Sequence, residues 1–249
     1  MVPVALDTSA SGFPGMNRRK LLMLYVFDCD GVLIDSEIIA STVDSELLAE
    51  IGYEISPEQV TYRFAGLTSQ AIGEIVAAEI GRSLPADFFD RTREEIDRRL
   101  ARQLKAVPGV QEMLDRLDGQ SRCVCSNSSM ERLKISLDRT RLWDRFAPHI
   151  YSAGEVGNLQ PKPAPNVYRY AMAQFNADPR DTVVLEDSAF GVTAAKAAGA
   201  RVIGFTGGAH TWPSHADVLT EAGAETVINR LADLPATAEA LLAWEGLAD

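Results

Sequence analysis

The stretch Phe27-Asp28-Cys29-Asp30-Gly31-Val32-Leu33-Ile34-Asp35-Ser36-Glu37 decides the reading of this chain, because an apolar run ends there in two acids spaced one residue apart and followed by glycine. The run before it, Leu21 to Phe27, is continuously apolar, the pattern of a strand buried on both faces of a parallel sheet. In open α/β sheets such a strand delivers its carboxyl end to a ligand crevice. Side chains alternate along a strand, so Asp28 and Asp30 share a side if the extended backbone continues through both.

Beyond Ser36 the rhythm becomes helical and stays so to about residue 105, with Ile38, Ile39, Val43, Leu47, Leu48 and Ile51 recurring at three and four residues until Gly52 stops the helix. Further helices are expected over 57–64, 69–80 and 86–104, the last a charged, solvated helix laced with i,i+4 pairs. From Pro108-Gly109 onward strands and helices alternate. Strands are expected at 122–125, 149–152, 182–185, 201–205 and 226–228, and helices at 110–117, 130–142, 164–175, 189–198 and 216–222. The fold class is therefore α/β, a doubly wound, Rossmann-like parallel sheet in a core of residues 21–35 and 107–249. An all-helical cap over 36–106 interrupts it after the first strand, where it can cover the site as a lid.

Composition narrows the function. The chain has 249 residues, 46% of them hydrophobic, and a formal charge of −11 from 35 acidic and 24 basic side chains, which disfavours nucleic-acid and membrane surfaces but leaves room for one small phosphate. No run approaches the roughly 18 apolar residues of a membrane helix. Three cysteines, Cys29, Cys123 and Cys125, lie in or beside apolar runs at a spacing that suits neither a disulfide framework nor zinc, so a reducing cytoplasm is expected. Residues 1–20, rich in Pro, Gly and Ser with Arg18-Arg19-Lys20 at the end, read as a disordered leader rather than a signal peptide.

Three further polar clusters close predicted strands or open the following helices: Ser126-Asn127, Lys162-Pro163 and Glu186-Asp187-Ser188. Parallel strands bring their carboxyl ends to one edge, so these clusters can meet Asp28 and Asp30 there. Each alone has a plainer explanation: Ser126-Asn127 or Glu186-Asp187-Ser188 as helix caps, Lys162 as a loop lysine. Together they suit phosphoryl transfer. An Asp carboxylate can attack phosphorus to form an aspartyl-phosphate, a second carboxyl such as Asp30 can serve the leaving alkoxide and then water, and Lys162 and Ser126 can hold phosphate oxygens. A hard cation such as Mg²⁺ on the carboxylates would offset the repulsion.

The ordered set D-x-D-G-V-L-I-D-S-E, S-N, K-P-x-P and E-D-S-x-x-G resembles the haloacid dehalogenase-like hydrolase superfamily over roughly residues 22–235. Within it, the chain is similar to the branch of β-phosphoglucomutase and small-metabolite phosphatases with a helical cap. The resemblance implies Asp28 as nucleophile, Asp30 as general acid/base and, through its main-chain carbonyl, metal ligand. It implies Ser126, Lys162 and Asn127 as phosphate contacts, and Asp28, Asp187 and Glu186 around Mg²⁺. In the cap, Phe64 to Gln70 resembles the family's specificity loop, which makes Gly66 and Thr68 candidate substrate contacts; an ordinary helix-helix turn explains it equally well. The expected function is a monomeric, Mg²⁺-dependent phosphatase of a small phosphorylated metabolite, a sugar or sugar-acid phosphate.

A β-phosphoglucomutase-like isomerase is the alternative, and a non-catalytic binding or regulatory protein a third reading that the presence of both Asp28 and Asp30 disfavours. In the mutases a histidine follows five residues after the aspartate of the D-[ST] pair and an arginine follows the cap turn. Here those positions are Ala40 and Ser69. Dehalogenases lack the second aspartate, and phosphonatases use a cap lysine where this cap has only Lys105 at its far hinge. His149, His210 and His215 match no motif and read as surface or core-edge residues, and Cys29 as a small packed side chain.

Overall fold

The computed structural model describes residues 23–64, 67 and 69–245, so the leader expected over 1–20 and the candidate contacts Gly66 and Thr68 lie outside the described residues. Six strands form one parallel sheet: β1 (Leu24–Phe27), β2 (Ser121–Ser126), β3 (Ile150–Ser152), β4 (Thr182–Glu186), β5 (Arg201–Phe205) and β6 (Thr226–Ile228). Their order is β3-β2-β1-β4-β5-β6. The chain winds outward from β1 to β3, returns to lay β4 against the other side of β1, and winds outward again. The crevice between the ends of β1 and β4 is thus the switch point where doubly wound sheets bind ligands.

Every residue of β1 is buried, and alternation divides them between two cores. Tyr25 and Phe27 pack with α5 (Val110–Arg116), α6 (Met130–Arg139) and α11 (Leu234–Glu245) on one face. Leu24 and Val26 pack with α8 (Asn166–Phe175), α9 (Ala189–Ala197) and α10 (His215–Ala222) on the other. Each such side chain contributes about 1.5–3 kcal/mol by leaving water, so β1 is fixed from both sides. All three cysteines are buried free thiols, Cys29 among them as a packed side chain.

Two expectations change. The helix expected over 130–142 ends at Arg139; Arg141 adopts φ 59°, Leu142 N–H turns back to Leu137 O at 2.7 Å, and a separate short helix α7 (Trp143–Phe146) follows. Helix α11 lies where no element was expected; its Leu234, Ala238 and Leu242 cover the sheet.

Four helices, α1 (Glu37–Glu50), α2 (Pro57–Phe64), α3 (Ser69–Ile80) and α4 (Phe88–Gln103), stand between β1 and α5. They close on their own apolar cluster, which includes Val43, Leu48, Val60, Phe64, Val76 and Phe88. The chain passes into and out of this layer along paired backbones: Ile34 bridges Ala106, Asp35 N–H donates to Lys105 O and Val107 N–H to Leu33 O, both at 3.0 Å.

Candidate active site

Asp28 follows directly on β1, and its N–H continues the sheet ladder to Leu185 O of β4 at 3.0 Å. The extended backbone stops there. Leu33 and Ile34 both donate to Cys29 O, and Gly31 N–H returns to Ile34 O at 2.8 Å, so residues 29–34 form a tight turn. Asp28 and Asp30 therefore reach one site through a turn, not through strand alternation. Gly31 makes the turn possible in two ways: its φ is +77°, and a Cβ there would sit 1.8 Å from Asp187 Oδ2.

Lys162 comes from the loop between β3 and α8. Asn166 braces that loop by donating to Val156 O at 2.8 Å and Ala153 O at 3.2 Å, and Asn127 clasps Lys162 itself, accepting its N–H at 2.8 Å and donating to its carbonyl at 3.3 Å. The ammonium then uses all three of its protons inside the protein. They go to Asp28 Oδ1 at 2.5 Å, Glu186 Oε1 at 2.6 Å and Cys125 O at 2.9 Å. Burial favours the neutral amine, but Asp28 and Glu186 outweigh it and hold the lysine pKa well above its usual value.

Glu186 ends β4 and is fully enclosed. Oε1 accepts from Lys162 and from Tyr168 Oη at 2.8 Å; Oε2 accepts from Ser188 N–H and Oγ, both at 3.0 Å. Ser188 also caps α9 by accepting Gly191 N–H at 3.0 Å. Gly191 explains the last letter of the E-D-S-x-x-G pattern, since a Cβ on it would overlap Glu186 Oε1 at 1.7 Å. The cap of α6 is Ser129, which frees Ser126 and Asn127 from that role.

Ligand oxygens of Asp28, Glu186 and Asp187 lie within 4.8 Å of one another. Burial first, and then the neighbouring carboxylates, raise the pKa of both Asp28 and Asp187 well above the usual carboxylate range, against the pull of Lys162. Three crowded carboxylates facing one ammonium form an oxygen-only set of net negative charge. Such a set fits a hard divalent cation.

Asp30 is held differently. Its Oδ1 accepts from Ser36 Oγ at 2.7 Å, and its Oδ2 from Ser128 Oγ at 2.8 Å and Ser126 Oγ at 3.3 Å. Ser126 is thus turned toward Asp30, with its own oxygen accepting Ser128 N–H at 3.0 Å. Ser36 stands in the first motif and Ser128 two residues beyond Ser126, but the sequence reading assigns neither a place in the site.

The histidine reading needs correction. His210 Nε2 lies 3.0 Å from Asp187 Oδ2 and His215 Nε2 2.7 Å from Asp187 O, so both touch the site. His149 instead bonds Tyr151 Oη at 3.0 Å and packs on Phe175.

Among the described residues no helix is long and apolar enough to cross a membrane. A family model described as haloacid dehalogenase-like hydrolase matches residues 25–205. The 6-phosphogluconate phosphatase of Escherichia coli K12 is 28% identical over 188 residues, 75% of this chain and 84% of that enzyme. A solved haloacid dehalogenase-like protein of unknown function from Agrobacterium tumefaciens is 50% identical with a TM-score of 0.84, covering 88% of this chain and 99% of that one. A family hydrolase from Deinococcus radiodurans, solved with bound phosphate and sodium, is 32% identical with a TM-score of 0.78, over 89% of this chain and 97% of its own. The chain belongs to the haloacid dehalogenase-like hydrolases, among their phosphatases.

Proposed function

We propose that the chain is a Mg²⁺-dependent phosphatase of a small sugar or sugar-acid phosphate, working through an aspartyl-phosphate on Asp28. The observation that carries this is the buried Lys162 ammonium bonded at once to Asp28 and Glu186, beside Asp187. Lys162 engages Asp28 Oδ1, which leaves Oδ2 as the attacking oxygen. Mg²⁺ held by Asp28, Asp187 and Glu186 would supply positive charge against the phosphate oxygens.

Attack of Asp28 on phosphorus forms the acyl-phosphate and breaks the ester bond, and Asp30 gives its proton to the leaving oxygen. Water then attacks the same phosphorus and passes a proton back to Asp30, releasing inorganic phosphate and restoring Asp28. Ser36, Ser126 and Ser128 fix the rotamer of Asp30 for both steps. Ser126 and Asn127 are assigned as contacts of the incoming phosphate, with Asn127 acting also through Lys162.

We assign the helical layer over 36–106 as the cap that reads the rest of the substrate. Glu37 on the first turn of α1 lies within electrostatic reach of Asp30 and Asp187. Two turns on, roughly 10 Å along the helix, Asp44 lines a cavity of about 210 Å³ with Ser69, Thr92 and Arg93. Its size suits a small ligand, with Leu48, Phe64, Ile72, Phe88, Phe89 and Ile96 forming most of the wall. Relatedness to a 6-phosphogluconate phosphatase supports the same class.

Phosphate release over a panel of sugar, sugar-acid and nucleotide monophosphates tests the reading. Sugar-type esters are expected to turn over with Mg²⁺ and to stop turning over in EDTA. No release from any of them, or full release with chelation verified, would overturn it. Glucose 6-phosphate accumulating from β-glucose 1-phosphate and its bisphosphate would favour the isomerase instead.

A further inference from the structure

Asp187 is gripped from the loop that follows β5. His210 and Asp187 are both nearly closed to solvent, and the contact between His210 Nε2 and Asp187 Oδ2 measures 3.0 Å. Beside a cation Asp187 is ionised and only accepts, and the imidazole then carries its proton on Nε2. His210 Nδ1 is buried with no hydrogen-bond partner among the described residues, which leaves the Asp187 contact as the one polar use of this ring.

A second imidazole holds the same residue by its backbone. His215 Nε2 donates to Asp187 O at 2.7 Å, Thr211 Oγ1 donates to His215 Nδ1 at 2.8 Å, and Trp212 stacks on the His215 ring at 3.9 Å and 13°. The two imidazoles meet edge to face at 5.6 Å. From the opposite side the missing Cβ of Gly31 makes room for Asp187 Oδ2 and for the His210 ring, 1.8 and 2.7 Å from where that atom would stand.

We propose that His210 is a positioning residue for divalent-cation binding: its Nε2, standing against Asp187 Oδ2, turns the other carboxylate oxygen toward Asp28 and Glu186, while His215 anchors the Asp187 backbone. The inference rests on the reading of Asp28, Glu186 and Asp187 as a Mg²⁺ site. Imidazoles that hydrogen-bond a metal-ligating carboxylate orient it, and losing such partners weakens metal binding roughly 10- to 100-fold.

The test is Mn²⁺ titration of the full chain, followed by the electron paramagnetic resonance of free Mn²⁺, in wild type, His210→Ala, His210→Gln and His210→Asn. The alanine variant is expected to bind Mn²⁺ roughly 10- to 100-fold more weakly with the thermal midpoint of the metal-free protein unchanged. Gln, whose amide N–H reaches as far as Nε2, recovers part of the affinity, and the shorter Asn does not. Should the alanine variant fail to fold, the Gln-against-Asn difference carries the test. Equal affinity across the variants overturns the inference, and tighter binding by His210→Ala overturns it in favour of an imidazole that competes with the cation. A wild type that binds no Mn²⁺ overturns the metal reading and, with it, this inference.

Discussion

At the carboxyl edge of the sheet, Asp28, Lys162, Glu186 and Asp187 are 7%, 6%, 0% and 6% exposed, and each is hydrogen-bonded or ion-paired to another residue. On α4 of the helical layer, Arg93 and Asp90 pair while 68% and 72% exposed, and Arg91 pairs with Glu50 across to α1 in the open. Charges of the second kind are screened and contribute about 0–1 kcal/mol. Those of the first kind cost several kcal/mol to desolvate and are held by one another and by neutral partners such as Tyr168, Ser188 and Cys125 O. Where a chain keeps three carboxylates and a lysine out of water, stability alone does not explain them, whereas solvent exposure explains the charges of α4.

Substitutions can break or sharpen that contrast. The largest effect is expected from Asp28→Asn, which keeps the shape but removes the nucleophile: turnover falls by a factor on the order of 10⁴ or more, with the folded protein retained. Phosphate release and thermal unfolding measured side by side check both halves. Next, Lys162→Met strips Asp28 and Glu186 of their shared counter-charge. A loss of about 3–5 kcal/mol is expected in urea unfolding, and adding Asp28→Asn to the same chain should restore part of it.

Asp44 belongs between the two regions, since burial lifts its pKa from 3.8 to about 6. Its raised folded value means that stability is complete below about pH 4 and declines as pH rises through 6, because the unfolded chain ionises first. Asp44→Asn removes that penalty. After allowance for partial solvent contact, the variant should gain about 1–2 kcal/mol at pH 7.5, and a pH series of thermal melts should show the gain vanishing toward pH 4. The smallest effect is expected from Arg93→Ala, within about 0.5 kcal/mol of wild type by the same melts. A loss several times larger would mean that the exposed charges of α4 are not expendable.

The same contrast governs what could be read from the sequence. The acids were legible because strands β1 and β4 are short apolar runs with polar residues at their ends, and parallel pairing gathers those ends, while Lys162 was legible from the Lys162-Pro163 pair before the following helix. Alternation gave the right neighbourhood for Asp30 by the wrong route, since the turn at 29–34 brings it there. The contacts of Ser128, His210 and His215 were not legible, since each is made only after distant segments fold together, whereas Ser36 lies in the first motif and meets Asp30 six residues away once the turn at 29–34 forms. The break between α6 and α7 was hidden because Arg141 takes its left-handed conformation in a stretch whose apolar spacing still reads as helix. In the helical layer the three- and four-residue spacing of α1 was clear, because its Val43, Leu47 and Leu48 are buried against the other helices.

Borohydride trapping during turnover tests the assignment of Asp28 most directly. An acyl-phosphate is reduced where it forms, converting the aspartate that bears it to homoserine, and peptide mass spectrometry locates the change. With a substrate identified from the panel and Mg²⁺ present, homoserine is expected at position 28, and neither without substrate nor at Asp30, Glu186 or Asp187. Steady release of phosphate with Asp28 unreduced, or reduction at another acid, would contradict the nucleophile at the end of β1.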